Sequence, residues 1–323
     1  MQSTDAGVAA AATPRPRLTA MLGTERLSDH LFRRTPRPPF EARIFGGEIA
    51  GQALVAAGRT VPRDRPVHSA HAYFLRPGDP RAPLTYRVLP GRDSRSFSSR
   101  RVEAVQHGDV VFELAASFQR PEDGFAHQVP RPRAPDPDEL PPALDGVAAE
   151  PADHARLEHL QRTRSVELRF PEPLPRLTVR HGGTAEPRQR TWLRSTDPLP
   201  DDPVLQAGAL TYVSDLLLLS AALSPHGMAI GDPDLQFASL DHAVWFHTPH
   251  RLDDWLLYEQ EGTWAGGGRA LCRGHMYDKA GTLVASLAQE GLLRKRPQRT
   301  SDGTAQVIRS SDRSSDRSSR ESP

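Results

Sequence analysis

The sequence predicts an α+β fold made of two tandem units, each an antiparallel sheet wrapped around one long helix. Three observations lead there. An apolar helical stretch followed by four strand-like stretches occurs twice. A Pro-rich segment separates the two occurrences. The copies also keep nearly constant spacing: His71 superposes on His242 with a shift of 171 residues, and Val110 on Thr282 with a shift of 172.

Residues 1–16, mainly Ala, Thr and Pro, are expected to form a disordered N-terminus. Residues 296–323, dissolving into SSDRSSDRSSRES, are expected to form a disordered tail, since almost nothing apolar offsets the entropy of ordering them. The first unit spans 17–129. Within it, FGGEIAGQALVAAGRTV (45–61) places Ile49, Ala53, Leu54 and Ala57 at helical spacing. Four strands follow, VHSAHAYFLR, LTYRVLP, RSFSSRRVEAVQ and VVFELAASFQ, with His107-Gly108-Asp109 as the turn before the last. Residues 130–159 read as a linker, because PRPRAPDPDELPPALDGVAAEPAD is too Pro-rich for a strand or a long helix. The second unit spans 160–295. Its helix, VLQAGALTYVSDLLLLSAAL (204–223), is more apolar all round and therefore more buried. Its strands are SLDHAVWFH, WLLYEQE, GRALCRGHMY and TLVASLAQEGLLR, with Asp278–Gly281 as the matching turn.

Composition excludes several classes. Formal net charge is +1, and no basic stripe with interleaved aromatics argues for nucleic acid. The single Cys272 excludes an intrachain disulfide and fits a reducing compartment. No charged n-region with an apolar h-region reads as an export signal, and Asp215 interrupts the most apolar run. A cytoplasmic protein without a membrane span is the expectation.

Strand alternation nominates chemistry. Asp241 shares a face with Ala243, Trp245 and His247, while Gln289 ends an apolar row of Leu283, Ala285 and Leu287. A buried amide without partners costs roughly 1–3 kcal/mol, so Gln289 calls for a neighbour, and a carboxylate with a water suits it. Thr263, in EGTWAGGGRA, adds a hydroxyl that both donates and accepts. Asp215 is polar inside a very apolar helix; a local hydrogen bond and a supporting role behind the site weigh equally. His242 and His247 fall on opposite faces of one strand, so they are not expected to share a metal. Arg100 and Arg101 read as a solvated face, and Gly266–Gly268 lacks the spacing and following helix of a dinucleotide motif.

FGGEIAGQAL, HSAHAYFLRPGD and FSSRRVEAVQHG, then YVSDLLLL, PHG, LDHAVWFH, WLLYEQEGTWAGGGRALCRG and GTLVASLAQEGLLR, run in an order that resembles the acyl-CoA thioesterase II family. The resemblance covers roughly residues 18–130 and 160–295. It implies a double hotdog fold and hydrolysis of acyl-CoA to free acid and CoA. The family's Asp, Thr and Gln fall on Asp241, Thr263 and Gln289, with Asp241 activating or holding a water that the other two orient. The N-terminus of the long helix would offer N–H groups to the oxyanion. No cofactor or metal is implied, since a thioester is already activated. The substrate partner is acyl-CoA, and a homo-oligomer, dimer or tetramer, is expected. The alternatives are a hotdog hydratase or dehydratase, which relies on a His with an acid, and a non-catalytic acyl-CoA binder. A serine hydrolase is disfavoured because no GxSxG elbow occurs. By the same superposition Asp241 corresponds to Ala70 of the first copy, Gln289 to Ser117 and Thr263 to Gly91 or Arg92. One catalytic site per chain is expected, although two related units could hold two acyl tunnels.

Overall fold

The computed structural model describes residues 16–34, 36 and 41–296. Except for Pro16 and Arg296, the expected disordered termini lie outside the described residues. In the first unit a short helix α1 (Leu18–Leu22) and two strands, β1 (Glu25–Ser28) and β2 (Leu31–Arg34), precede helix α2 (Gly46–Gly58). The four expected strands follow as β3 (Val67–Phe74), β4 (Leu84–Asp93), β5 (Phe97–Gln106) and β6 (Asp109–Gln119). His107 and Gly108 both take positive φ in the last turn, as its tightness requires.

The connecting segment differs from expectation. Helix α3 (Pro151–Arg164) rises out of it, starting at its own Pro and crossing the boundary at 160. Its Leu157, with Val147 before it, is buried in the core. The Pro-rich composition ends at the residue that starts the helix, and the pattern beyond it was hidden by a polar face. The second unit then holds β7 (Val166–Arg169), α4 (Pro175–Arg180), β8 (Arg188–Ser195) and α5 (Pro203–Ser214). After these come β9 (Leu235–Ser239), β10 (Asp241–Phe246), β11 (Leu256–Gly266), β12 (Arg269–Asp278) and β13 (Leu283–Lys295).

The expected helix over 204–223 stops at Asp215. Leu217 adopts φ 62°, a left-handed conformation that ends an α-helix, and a 3-10 stretch Leu218–Ala222 continues the chain. The whole Pro203–His226 segment is apolar enough for a membrane span by length and composition. Yet 83% of its most apolar window is buried inside the protein, which makes it core.

All strands join one sheet in the order β1-β2-β4-β5-β6-β3-β10-β13-β12-β11-β8-β7, with β9 pairing the far end of β13. The seam between the copies is the antiparallel pair β3 and β10, where Ala70 faces Val244. Two hydrophobic cores lie on the helix side, one per unit, and Phe246 packs against both.

α2 and α5 lie side by side and antiparallel, packed through glycines. A Cβ on Gly51 would meet Gly208 O at 2.7 Å, and one on Gly47 would meet Tyr212 O at 2.3 Å. Close approach therefore brings the N-terminus of α2 against the C-terminus of α5. Asp202 caps the other end of α5, accepting from the Val204 and Leu205 N–H groups. The α2 N-terminus is further anchored by the buried pair Arg34–Glu48, 2.7 Å, where loss of one partner typically costs about 3–5 kcal/mol.

Candidate active site

The α2–α5 contact sets a carboxylate in an unusual place. Asp215, the residue that ends α5, accepts through Oδ2 from the Gly47 N–H at the start of α2, 2.8 Å. Its Oδ1 accepts from Gln289 Nε2 at 2.6 Å and from the Ser239 hydroxyl at a long 3.4 Å. The second proton of the same Gln289 amide goes to Ser239 Oγ at 2.9 Å. Four segments from both units thus meet at three polar side chains. Gln289 is fully buried and its Oε1 has no hydrogen-bond partner, so an acceptor is left over inside the site.

Electrostatics follow from the position. Asp215 keeps partial solvent access but is surrounded by apolar atoms, and the resulting desolvation raises its pKa to about 6. The Gln289, Gly47 and Ser239 hydrogen bonds and the Arg164 charge pull the other way and fall short. Arg164 is the last residue of α3; its guanidinium lies 4.2 Å from the centre of the Phe45 ring, next to Gly46. The connecting segment therefore contributes a charge near the site. A carboxylate poised near neutrality suits proton transfer.

Of the three residues expected from the sequence, only Gln289 stands in this cluster. Asp241 is half-buried and accepts instead from the Glu290 N–H, 2.6 Å; burial raises its pKa, opposed by that bond. The ladder explains this placement. Ala243 pairs with Ala288 and Ser239 with Gly291, so four steps on one strand match three on the other. The extra residue at the β9–β10 junction reverses alternation there. Asp241, inside β10, keeps the outer face with Ala243 and Trp245 by ordinary alternation, and the extra residue turns Ser239 inward beside Gln289. Thr263 is exposed at the irregularity between Gly262 and Trp264 of β11, two strands from Gln289, and is not brought to the site. Asp215, weighed as a supporting group, holds the central position. Ser239 was not nominated, because its inward turn comes from the register shift between β9 and β10, which leaves no periodic signal in the sequence.

The copy correspondence also shifts. Arg100 pairs with Ala116 four residues before one bulge, as Cys272 pairs with Gln289 four residues before its equivalent. Gln289 therefore matches Ala116, while Ser117 points outward to His68 Nε2, 2.8 Å. Likewise inward-facing His242 matches Ala70, so Asp241 matches Ser69 and Ser239 matches Val67. Counting from the Gly51–Gly208 contact, Asp215 matches Gly58. Arg100 is also not solvated: it is buried against Thr60 and Asp93, while Arg101 is exposed.

His242 is buried behind the cluster with Nε2 on Ser214 Oγ, 2.7 Å, and burial pushes its pKa down to about 4. It stays neutral at neutral pH.

By class the fold is a double hotdog. A family described as acyl-CoA thioesterase matches residues 160–292, and one described as acyl-CoA thioesterase N-terminal domain matches residues 34–119. The chain is 39% identical to acyl-coenzyme A thioesterase 8 of Mus musculus, over 87% of this chain and 90% of that one. It is 35% identical to acyl-CoA thioesterase 2 of Haemophilus influenzae, over 86% and 96%. The crystal structure of the acyl-CoA thioesterase II TesB2 from Mycobacterium marinum superposes with a TM-score of 0.71 at 42% identity, covering 86% of this chain and 98% of that one. The chain belongs to the acyl-CoA thioesterase II family, and is an acyl-CoA thioester hydrolase of the EC 3.1.2 class.

Proposed function

We propose that the chain hydrolyses acyl-CoA with a water activated by Asp215 and held by Gln289 and Ser239, in place of the trio Asp241, Thr263 and Gln289. The observation that carries this reading is the shared Gln289 amide, which donates to both Asp215 and Ser239. With its two protons used, Gln289 Oε1 is free to accept from water, and that water reaches Asp215 with its other proton.

In this reading Asp215 takes a proton from water while the oxygen attacks the thioester carbonyl carbon. The developing oxyanion faces the start of α2, where the Glu48 and Ile49 N–H groups already donate to Phe45 O and the Gly47 N–H to Asp215. The amide that receives it is therefore that of Gly46, whose lack of a side chain leaves room for close approach. Collapse of the tetrahedral species breaks the C–S bond, and the proton on Asp215 returns to the departing CoA sulfur. Gly47 anchors the carboxylate throughout, so its geometry does not depend on substrate.

A hydratase or dehydratase is disfavoured because His242, the nearest inward-facing His, is buried, neutral and tied to Ser214. Thiol release from a panel of acyl-CoA esters, with parent and Asp215→Asn enzymes, tests the proposal. The parent should release thiol and the variant should lose at least about a hundredfold in kcat, as for removal of one preorganised group. No release by the parent on any chain length would favour an acyl-CoA binder.

A further inference from the structure

The antiparallel α2–α5 pair has two ends, and only one carries the polar cluster. At the other, where α2 finishes and α5 begins, lies a cavity of about 840 Å³. Its depth is apolar: Leu22, Leu54 and Val55 from the helices, Val67 and Phe118 from β3 and β6. Gly58 and Val67, which line it, are the first-copy counterparts of Asp215 and Ser239, and Ala116 is the counterpart of Gln289. The cavity is therefore the duplicated position of the active site without its water-handling groups.

Its rim is cationic. Arg26, Arg59, Arg63 and Arg65 line it against Asp201 and Asp202. Asp202 is already engaged by Arg59 and by the α5 N-terminus. Arg65 is nearly buried, with its guanidinium held by the neutral Ser94 O and Ser98 Oγ at 2.9 and 2.8 Å, and its Nε lacks a hydrogen-bond partner. Its nearest carboxylate, Asp64, is 3.8 Å away and is shared with Arg120 at 2.6 Å. Arg63 is exposed and forms no ion pair among the described residues. Positive charge around an apolar hole of this size fits an anionic head with a long apolar tail.

We propose that this cavity is a second, non-hydrolytic acyl site, taking a molecule with an acyl chain and an anionic head. A fatty acid and an acyl-CoA share that chemistry. The site stands on the cavity and the duplication, so it does not depend on which residues carry out hydrolysis.

The test is calorimetric titration of the full chain with a long-chain fatty acid and with a non-hydrolysable thioether analogue of acyl-CoA. The matching fatty alcohol and CoA alone serve as controls. The parent should show a second binding event per chain, with the acid if a carboxylate suffices or with the analogue alone if the larger head is needed. Val67→Trp fills the cavity and should abolish that event while leaving kcat on a short acyl-CoA within a few-fold. Arg63→Glu, on the exposed rim, should weaken it several-fold at low salt and less at high salt; it carries the test if Val67→Trp fails to fold. A single event in the parent would overturn the proposal. So would a second event that survives both substitutions, an alcohol that binds as tightly as the acid, or CoA alone filling the site.

Discussion

Gly47 and Asp215 meet across 2.8 Å, the amide that starts one unit's helix donating to the carboxylate that ends the other's. The duplication is thus more than a second half of the sheet. A helix start carries partial positive charge, so the first unit holds the acid of the second in place.

That contact has no spare room. A Cβ on Gly47 would lie 2.3 Å from Tyr212 O and 2.6 Å from the Phe45 ring, and the first of these is backbone that yields only if the helices part. Gly47→Ala should therefore lower stability by about 1–3 kcal/mol, as overpacking does, and should lower kcat as well. Urea unfolding and steady-state kinetics on the same preparation check both. An unchanged kcat in a destabilised protein would separate the helix contact from the chemistry.

pH dependence follows from the acid. Activity needs the Asp215 carboxylate ionised, and burial raises its pKa to about 6. The rate should fall on the acid side with an apparent pKa near that value. Stability has the opposite sense, because a carboxyl whose folded pKa is raised binds its proton more tightly when folded. Its contribution is fully present below the unfolded value of 3.8 and is lost as pH rises through about 6. The melting-temperature difference, Asp215→Asn minus parent, should thus grow from pH 4 to pH 8. A difference that stays flat over this range would show that Asp215 carries no raised pKa.

Ser239 makes a graded prediction. Ser239→Ala removes the acceptor of one Gln289 proton and leaves that N–H buried, which typically costs about 1–3 kcal/mol in the group left unpaired. Ser239→Thr keeps the hydroxyl. The first should lower kcat about tenfold or more, by loss of Gln289 orientation, and the second should restore most of it. Kinetics of the pair decide whether the hydroxyl or only its space matters.

Much of this was legible in the sequence. Both helices, the four strands of each copy and the tight turns followed from period and turn chemistry, and the near-constant spacing gave the duplication. Gln289 was legible because an amide closing an apolar row needs a buried partner. The partner's identity was not. Asp241 was nominated through the family resemblance, and alternation within β10 keeps it with Ala243 and Trp245, away from Gln289, while the extra residue between β9 and β10 turns Ser239 inward. Asp215 lay in a run that reads as one helix from 204 to 223, and the break at Leu217 depends on packing against α2 and β13, far away in sequence. Thr263 sits at a bulge in β11 that leaves it on the exposed side, a register feature that no periodicity shows.

The most direct measurement is kcat for Asp215→Asn and Asp241→Asn, side by side on one acyl-CoA substrate. Asn keeps the shape of each side chain, and at 241 its carbonyl still accepts from the Glu290 N–H. The account predicts a loss of at least about a hundredfold for Asp215→Asn and a change within a few-fold for Asp241→Asn. The reverse pattern, with Asp241→Asn crippled and Asp215→Asn near normal in folded protein, would contradict it.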